Sequence, residues 1–352
     1  MIIKPYLQLL VERNGSDLFF TSDSPVQVKI EGRIAPVGKT VLTPRAVKEA
    51  ALSLMSERQV EQFQDDLELD FALYEPGIGR FRVNAFHQRG NVAMVLRYIK
   101  SDIPSLDDLQ LPDSLKELAL LKRGMILVVG ATGSGKSTTL ASMLDYRNAQ
   151  SSGHILSIED PIEFVHSNQQ SIVNQREVGV DTHSYANALR SALREAPDVI
   201  LIGETRDRET MESVVELAGS GHLCISTLHA NNAHQALDRV LNMFPEEMHR
   251  LLLMDFSMNL KAIVSQRLVQ SRSGRRVAAI EVLINNAHFA ELIRDGRFDE
   301  VGEAMAKSTS RGIQTFDDAL LNLYKSEVIT LEEALRNADS RSNLEARINF
   351  GK

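Results

Sequence analysis

Lys136 and Ser137 close the octet GATGSGKS, residues 130–137. This is the pattern G-x-x-x-x-G-K-[ST] in full. The missing Cβ at Gly130, Gly133 and Gly135 lets backbone N–H groups close around a polyphosphate. Lys136 adds a cation that reaches β- and γ-phosphates, and Ser137 adds a hydroxyl for Mg²⁺. Ala131, Thr132, Ser134 and the following Thr138 complete the cradle.

Hydrolysis of a phosphoanhydride also needs a group that orients water and cations that absorb charge. Glu204 ends the apolar run VILI, where a carboxylate can bond a metal-bound or attacking water. The aspartate common before such an acid is replaced by Gly203, so metal binding there is expected to be indirect. Glu163, in EDPIEF, is a second candidate for polarising water. His222 and His229 flank another apolar run and, beside Thr227, can sense a terminal phosphate. A zinc site is disfavoured, because Cys224 is the one cysteine in the chain and has no CxxC pair.

These residues need elements to hold them. Met125–Val129 predicts a buried parallel strand before the Gly-rich loop, and Thr138–Leu144 predicts a helix after it. Further strands are predicted at Ile155–Ile158, Val199–Ile202, Leu223–Ser226 and Val277–Ile284. Helices are predicted over Tyr185–Glu195 and Thr210–Leu217. Glu204, His229 and the Gly-rich loop then all follow strand ends, where open α/β sheets bind ligands. From Ala233 onward the chain is otherwise expected to be helical, with a frayed tail from about Asp339.

Residues 1–100 predict a smaller α/β domain. A first helix covers Tyr6–Leu10 and stops at Asn14-Gly15. Short strands follow at Leu18–Thr21 and Val26–Ile30, with a hairpin turn at Glu31-Gly32. One helical pattern spans Pro44–Gln64. Alternation through Phe71, Phe81 and Val83 and again from Val92 to Tyr98 predicts strands. Arg80, Arg82, Arg89 and Arg97 lie in that sheet and on residue type alone read as a solvated face. Residues 101–113, with two prolines, predict a linker, leaving 114–352 as the second domain.

The chain has 352 residues, enough for two domains, and 43% of them are hydrophobic, which supports a sizeable core. Net charge is −8, which disfavours an extended nucleic-acid surface. The single cysteine excludes an intramolecular disulfide and fits a cytoplasmic setting. No apolar run is long enough to span a bilayer, so a membrane role is expected to be peripheral.

Four stretches in order resemble the Walker A, Asp box, Walker B and His box of the secretion ATPase superfamily. They are GATGSGKST (130–138), SIEDPIEF (157–164), REAPDVILIGETRDRET (194–210) and GHLCISTLHANNA (221–233). GSDLFFTSDSPVQVKIEG, FRVNAF and GIQTFDDAL resemble the PilT/PilU branch, the type IV pilus retraction motors. Phe19, Asp23 and HFAELIRDGR (288–297) depart from the PilT pattern toward PilU.

The resemblance implies an α/β protein with a PAS-like N-terminal domain, a RecA-like ATPase domain and a helical C-terminal region. It implies a homo-hexamer that binds ATP and Mg²⁺, with Ser137 and Glu204 at the metal. Glu163 and Glu204 are implied to act in hydrolysis, and His222 and His229 to couple nucleotide state to motion. Arg82 and Arg97 become phosphate-contacting candidates. The implied partners are a PilT-like retraction ATPase and an inner-membrane pilus platform protein. The implied place is the cytoplasmic side of the inner membrane at the pilus base. The competing reading, a RecA-like nucleic-acid translocase, lacks any recognised nucleic-acid module.

Overall fold

The computed structural model describes residues 3–30, 32–99 and 102–350. Two compact units emerge: Met1–Asp102 with Glu163–Val165, and Ile103–Ile162 with His166–Lys352.

The first unit runs α1 (Lys4–Glu12), β1 (Asp17–Phe20), β2 (Gln27–Ile30), β3 (Arg33–Pro36), α2 (Pro44–Leu52), α3 (Glu57–Asp66), β4 (Glu68–Glu75), β5 (Gly79–Gln88) and β6 (Asn91–Ile99). Its sheet has the order β3-β2-β1-β6-β5-β4, antiparallel throughout. Phe81, Val83 and Ala85 are fully buried on one face of β5, while Arg82 and Asn84 alternate onto the other.

Two expectations change here. The single helix over Pro44–Gln64 is two helices, because Ser56 starts a new one. Its N–H donates to Gln59 Oε1 at 2.9 Å and its hydroxyl accepts from the Gln59 N–H, a reciprocal cap. β3 is exposed along its length, so it carried no periodic signal. Glu31 of the expected hairpin turn lies outside the described residues; its neighbours Ile30 and Arg33 pair across the strands.

The second unit contains α4 (Ser114–Ala119), β7 (Gly124–Val129), α5 (Lys136–Gln150), β8 (Gly153–Glu159), β9 (Ser171–Glu177), α6 (Tyr185–Ala192), β10 (Val199–Ile202), α7 (Arg208–Gly219) and β11 (Leu223–Leu228). It continues with α8 (Ala233–Leu241), α9 (Glu246–Asn259), β12 (Leu260–Gln270), β13 (Arg276–Ile284), α10 (Ala287–Arg294), α11 (Val301–Lys307), α12 (Phe316–Lys325), α13 (Leu331–Asn337) and α14 (Arg341–Phe350).

Its sheet has the order β13-β12-β7-β11-β10-β8-β9, with every pairing parallel except β12 with β13. β7, β10 and β11 are buried over their whole length. That explains why β10 and residues 125–129 of β7 read as unbroken apolar runs: both faces of a parallel sheet are covered. Parallel pairing also brings the carboxyl ends of β7, β10, β11 and β12 to one edge.

Residues 103–113 are not a free linker. Leu106 and Leu111 are buried within the second unit, and the Ser142 hydroxyl donates to Pro104 O at 2.6 Å. The C-terminal stretch is not uniformly helical, since β12 is a long central strand, and the polar edge strand β9 also went unpredicted. The tail is ordered as α14. Leu344 is fully buried, and Arg347 Nη2 donates to Asp318 Oδ1 at 2.5 Å.

Candidate nucleotide-binding and catalytic site

β7 delivers the Gly-rich loop and α5 begins at Lys136, as the motif requires. Gly135, the residue before α5, has φ +87°, a left-handed conformation that L side chains rarely adopt. Lys136 Nζ donates to Gly130 O at 2.8 Å and Ala131 O at 3.0 Å. The ammonium thus lies over the loop's own carbonyls, where a phosphate oxygen can replace neutral acceptors with a charged one.

A cavity of about 330 Å³ runs along Gly130–Ser134 and is also walled by Asn231, Gln266 and Arg276. A second, of about 540 Å³, touches Gly135 and Thr138 and is walled by Leu268, Arg272 and Arg276. Both volumes fall in the range of small-molecule sites. Ser137 is half-buried in the first turn of α5. No group of three or more His, Cys, Asp or Glu residues able to hold a metal occurs among the described residues.

β10 delivers Glu204. Its Oε1 lies 2.9 Å from His229 Nε2, and its Oε2 accepts from Arg206 Nη2 at 2.7 Å. The Arg206 hydrogen bond holds the carboxyl below its ordinary range. Partial burial opposes this, and the charges of Arg206, His229 and Lys136 reinforce it. Glu204, His229 and Lys136 therefore share one electrostatic site. Both oxygens of Glu204 thus face nitrogen groups.

Gly203 has a steric reason. A Cβ there would lie 3.1 Å from Glu159 Cα, 3.1 Å from Tyr185 Oη and 3.3 Å from Ile158 O. These contacts are tight, so an aspartate would make the neighbouring atoms give by a few tenths of an ångström. Thr227 is not aimed at a ligand either. Its hydroxyl donates to Gly203 O at 2.6 Å and ties the ends of β10 and β11 together.

Within the second unit, His222 is not gathered with these. His222 precedes β11 and His229 follows it, so roughly 20 Å of strand separates them. The His222 backbone carbonyl accepts from Gly124 N–H, at the opposite end of β7 from Gly130, and its Nδ1 faces Ser220 Oγ and Leu217 O. Within one chain it therefore sits at the wrong edge of the sheet for the phosphate loop. Glu163 belongs to the 163–165 segment of the first unit.

Arg82 and Arg97 are direct cross-strand partners in that unit. Arg82 pairs with Asp70 at 3.2 Å, and Arg97 pairs with buried Asp17 at 2.8 Å. Arg206, Gln266 and Arg276 went unassigned from the sequence. Arg206 had a signal, two residues past Glu204 in GETRD. Gln266 had none, standing between Ser265 and Arg267 in a stretch of mixed polarity.

The profile of type II/IV secretion system proteins matches residues 1–336. The type IV pilus ATPase PilU of Pseudomonas aeruginosa is 53% identical over 352 residues, covering 100% of this chain and 92% of the relative. The type IV pilus retraction ATPase PilT of the same organism is 39% identical over 343 residues, covering 97% and 100%. The chain belongs to the PilT/PilU family of secretion ATPases.

A crystal structure of the pilus retraction motor PilT with bound ADP superposes with a TM-score of 0.91 at 42% identity. It covers 98% of this chain and 99% of that one. No helix among the described residues is long and apolar enough to cross a membrane.

In this PilT/PilU family member the loop after His229 is anchored from below. α8 starts at Ala233, whose N–H donates to Glu281 Oε1 at 2.9 Å, and the Ser265 hydroxyl donates to the same oxygen at 2.8 Å. Burial pushes the Glu281 carboxyl up to about 7, against the pull of those two hydrogen bonds. A raised carboxyl binds its proton in the folded state before the unfolded one does. The native state therefore loses stability as pH rises from about 4.5 to about 7. Glu281→Gln keeps an acceptor for Ala233 and removes the titration. Its melting temperature is expected to be flat across that window and a few degrees above wild type at higher pH. Thermal unfolding at several pH values checks this; parallel curves for the two proteins would contradict it.

Proposed function

We propose that the protein is an ATP-hydrolysing motor of type IV pilus retraction. The observation that carries this reading is the meeting of Glu204, His229 and Lys136 beside the phosphate loop at one sheet edge. Loop N–H groups and Lys136 hold the β- and γ-phosphates. Glu204 orients the attacking water, which adds to the γ-phosphorus as the bond to the β–γ bridging oxygen breaks and ADP leaves. His229, bonded to Glu204, responds to the presence of the γ-phosphate. The Ser137 hydroxyl would hold Mg²⁺, which would supply charge neutralisation for the phosphates. The larger cavity beside Thr138 takes the nucleoside.

The finer reading follows from the family resemblance of the motifs. The first unit is a PAS-like domain, the second a RecA-like ATPase, and six copies form a ring in the cytoplasm. The ring works at the inner-membrane platform of the pilus, together with a PilT-like motor. Glu163 assists in polarising the water, and His222 acts toward a neighbouring subunit. Mass photometry with ATP tests the ring: a hexamer is expected, and a monomer at every nucleotide and protein concentration would overturn it.

Arg82 and Arg97 act on nucleotide from the first unit. Two guanidinium groups in direct register repel unless each has an acid, and each has one. Arg97 remains 65% exposed despite its partner, so it is available to a phosphate. Arg82→Ala and Arg97→Ala are each expected to slow hydrolysis about tenfold or more, and more than Arg58→Ala on the exposed face of α3. If the arginines serve a neighbour's nucleotide, mixing either variant with Lys136→Ala restores part of the activity. Steady-state ATPase assays of single and mixed preparations read this. Wild-type rates in both arginine variants would remove the first unit from the site.

A further inference from the structure

We infer that Gln266 is a positioning residue for the phosphate loop, holding it in its anion-binding shape; this rests on the nucleotide reading above. Gln266 lies on β12 next to the end of β7 and is 3% exposed. Its Nε2 donates to the Ser134 carbonyl at 2.8 Å, and its Oε1 accepts from the Thr139 hydroxyl at 2.7 Å. One carboxamide therefore ties the loop to the first turns of α5. Thr139 is buried as well, and the Ser134 carbonyl, which can only accept, fixes which end of the amide is nitrogen.

The consequence follows from the planarity of the peptide. In a trans peptide the C=O and N–H point opposite ways. Drawing the Ser134 carbonyl toward β12 turns the Gly135 N–H away from β12. A phosphate cradle consists of loop N–H groups aimed outward with their carbonyls satisfied from behind. Gln266 supplies the donor behind.

The packing agrees. A Cβ at Gly130 would lie 2.5 Å from Gln266 O, and one at Gly135 would lie 2.8 Å from Gln266 Nε2. The loop rests on Gln266 at a distance only glycine permits. The two motif glycines thus serve this contact as well as the ligand.

The test is Gln266→Glu, which keeps the shape and the acceptor for Thr139 but cannot donate to Ser134 O when ionised. ADP and AMP affinities are read by displacement of a fluorescent ADP analogue, with thermal unfolding alongside. ADP affinity is expected to fall about tenfold to a hundredfold, the usual effect of leaving a buried acceptor unpaired. AMP, which lacks the β-phosphate, is expected to change less than about twofold. At acid pH the introduced carboxyl takes a proton and can donate again, so ADP affinity recovers relative to wild type measured in parallel.

Should that variant fail to fold, Thr139→Val removes only the hydroxyl that bonds the amide oxygen. It is expected to show a smaller loss, again selective for ADP. Wild-type ADP affinity in folded Gln266→Glu overturns the inference, as does an equal loss of ADP and AMP binding. Failure of the wild-type protein itself to bind ADP overturns the nucleotide reading instead.

Discussion

Lys136→Ala is expected to lower ATP turnover by roughly a hundredfold to a thousandfold, the scale of removing one preorganised charge from a phosphoryl-transfer site. The ammonium lies 2.8 Å and 3.0 Å from two loop carbonyls and contributes to the field at Glu204. No second lysine occurs in the octet to replace it. The fold is expected to survive, because Lys136 heads α5 and is only half-buried, while the apolar face of that helix packs through Leu140, Met143 and Leu144. The melting temperature without nucleotide should stay within a few degrees of wild type. Undiminished turnover in folded Lys136→Ala protein would sink the phosphate-loop assignment.

Glu204→Gln is expected to bind ATP with near wild-type affinity and to turn it over about a hundredfold more slowly or worse. The amide keeps the size of the carboxylate and loses the charge that orients water. The pH dependence carries a sign. Arg206 holds the wild-type carboxyl low, so the active ionised form persists below the ordinary carboxylate range as pH falls. Arg206→Ala removes the largest of those influences and is expected to move the acid limb of the rate profile to higher pH. Rate profiles of wild type, Arg206→Ala and Glu204→Gln read this directly. An acid limb unmoved by Arg206→Ala would separate Glu204 from the titration that controls the rate.

The parts of the site that were legible in the sequence are those built from contiguous residues. The phosphate loop is one octet between a strand and a helix, so its motif and context lie side by side. Glu204 was legible because VILI is a strand buried on both faces and the acid follows it. The fold class was legible for the same reason: buried parallel strands read as apolar runs.

What escaped is set by pairing between distant segments. LKAIVSQRLVQ mixes Lys, Gln and Arg with apolar residues and has no helix-breaking boundary. Only its pairing with β7 and β13 makes it a strand. With β12 missed, Gln266 could not be placed behind the loop. The separation of His222 from His229 within one chain has a simpler origin. Seven residues from His222 to His229 span a whole strand, so the two sit at opposite sheet edges. The rise of a strand over seven residues, roughly 20 Å, already separates them. Ser56 divided the 44–64 helix through a capping box that the sequence spells out as S-x-x-Q.

The most direct test of the account is pilus retraction in cells that keep their PilT-like motor and carry this chain as wild type, Lys136→Ala or Glu204→Gln. Single-pilus retraction force is the measurement. The account predicts that wild type sustains retraction against high load and that both variants, expressed at the same level, lose this to a similar degree. Retraction force identical in all three strains would contradict it, because ATP hydrolysis at this site would then contribute nothing to pilus movement.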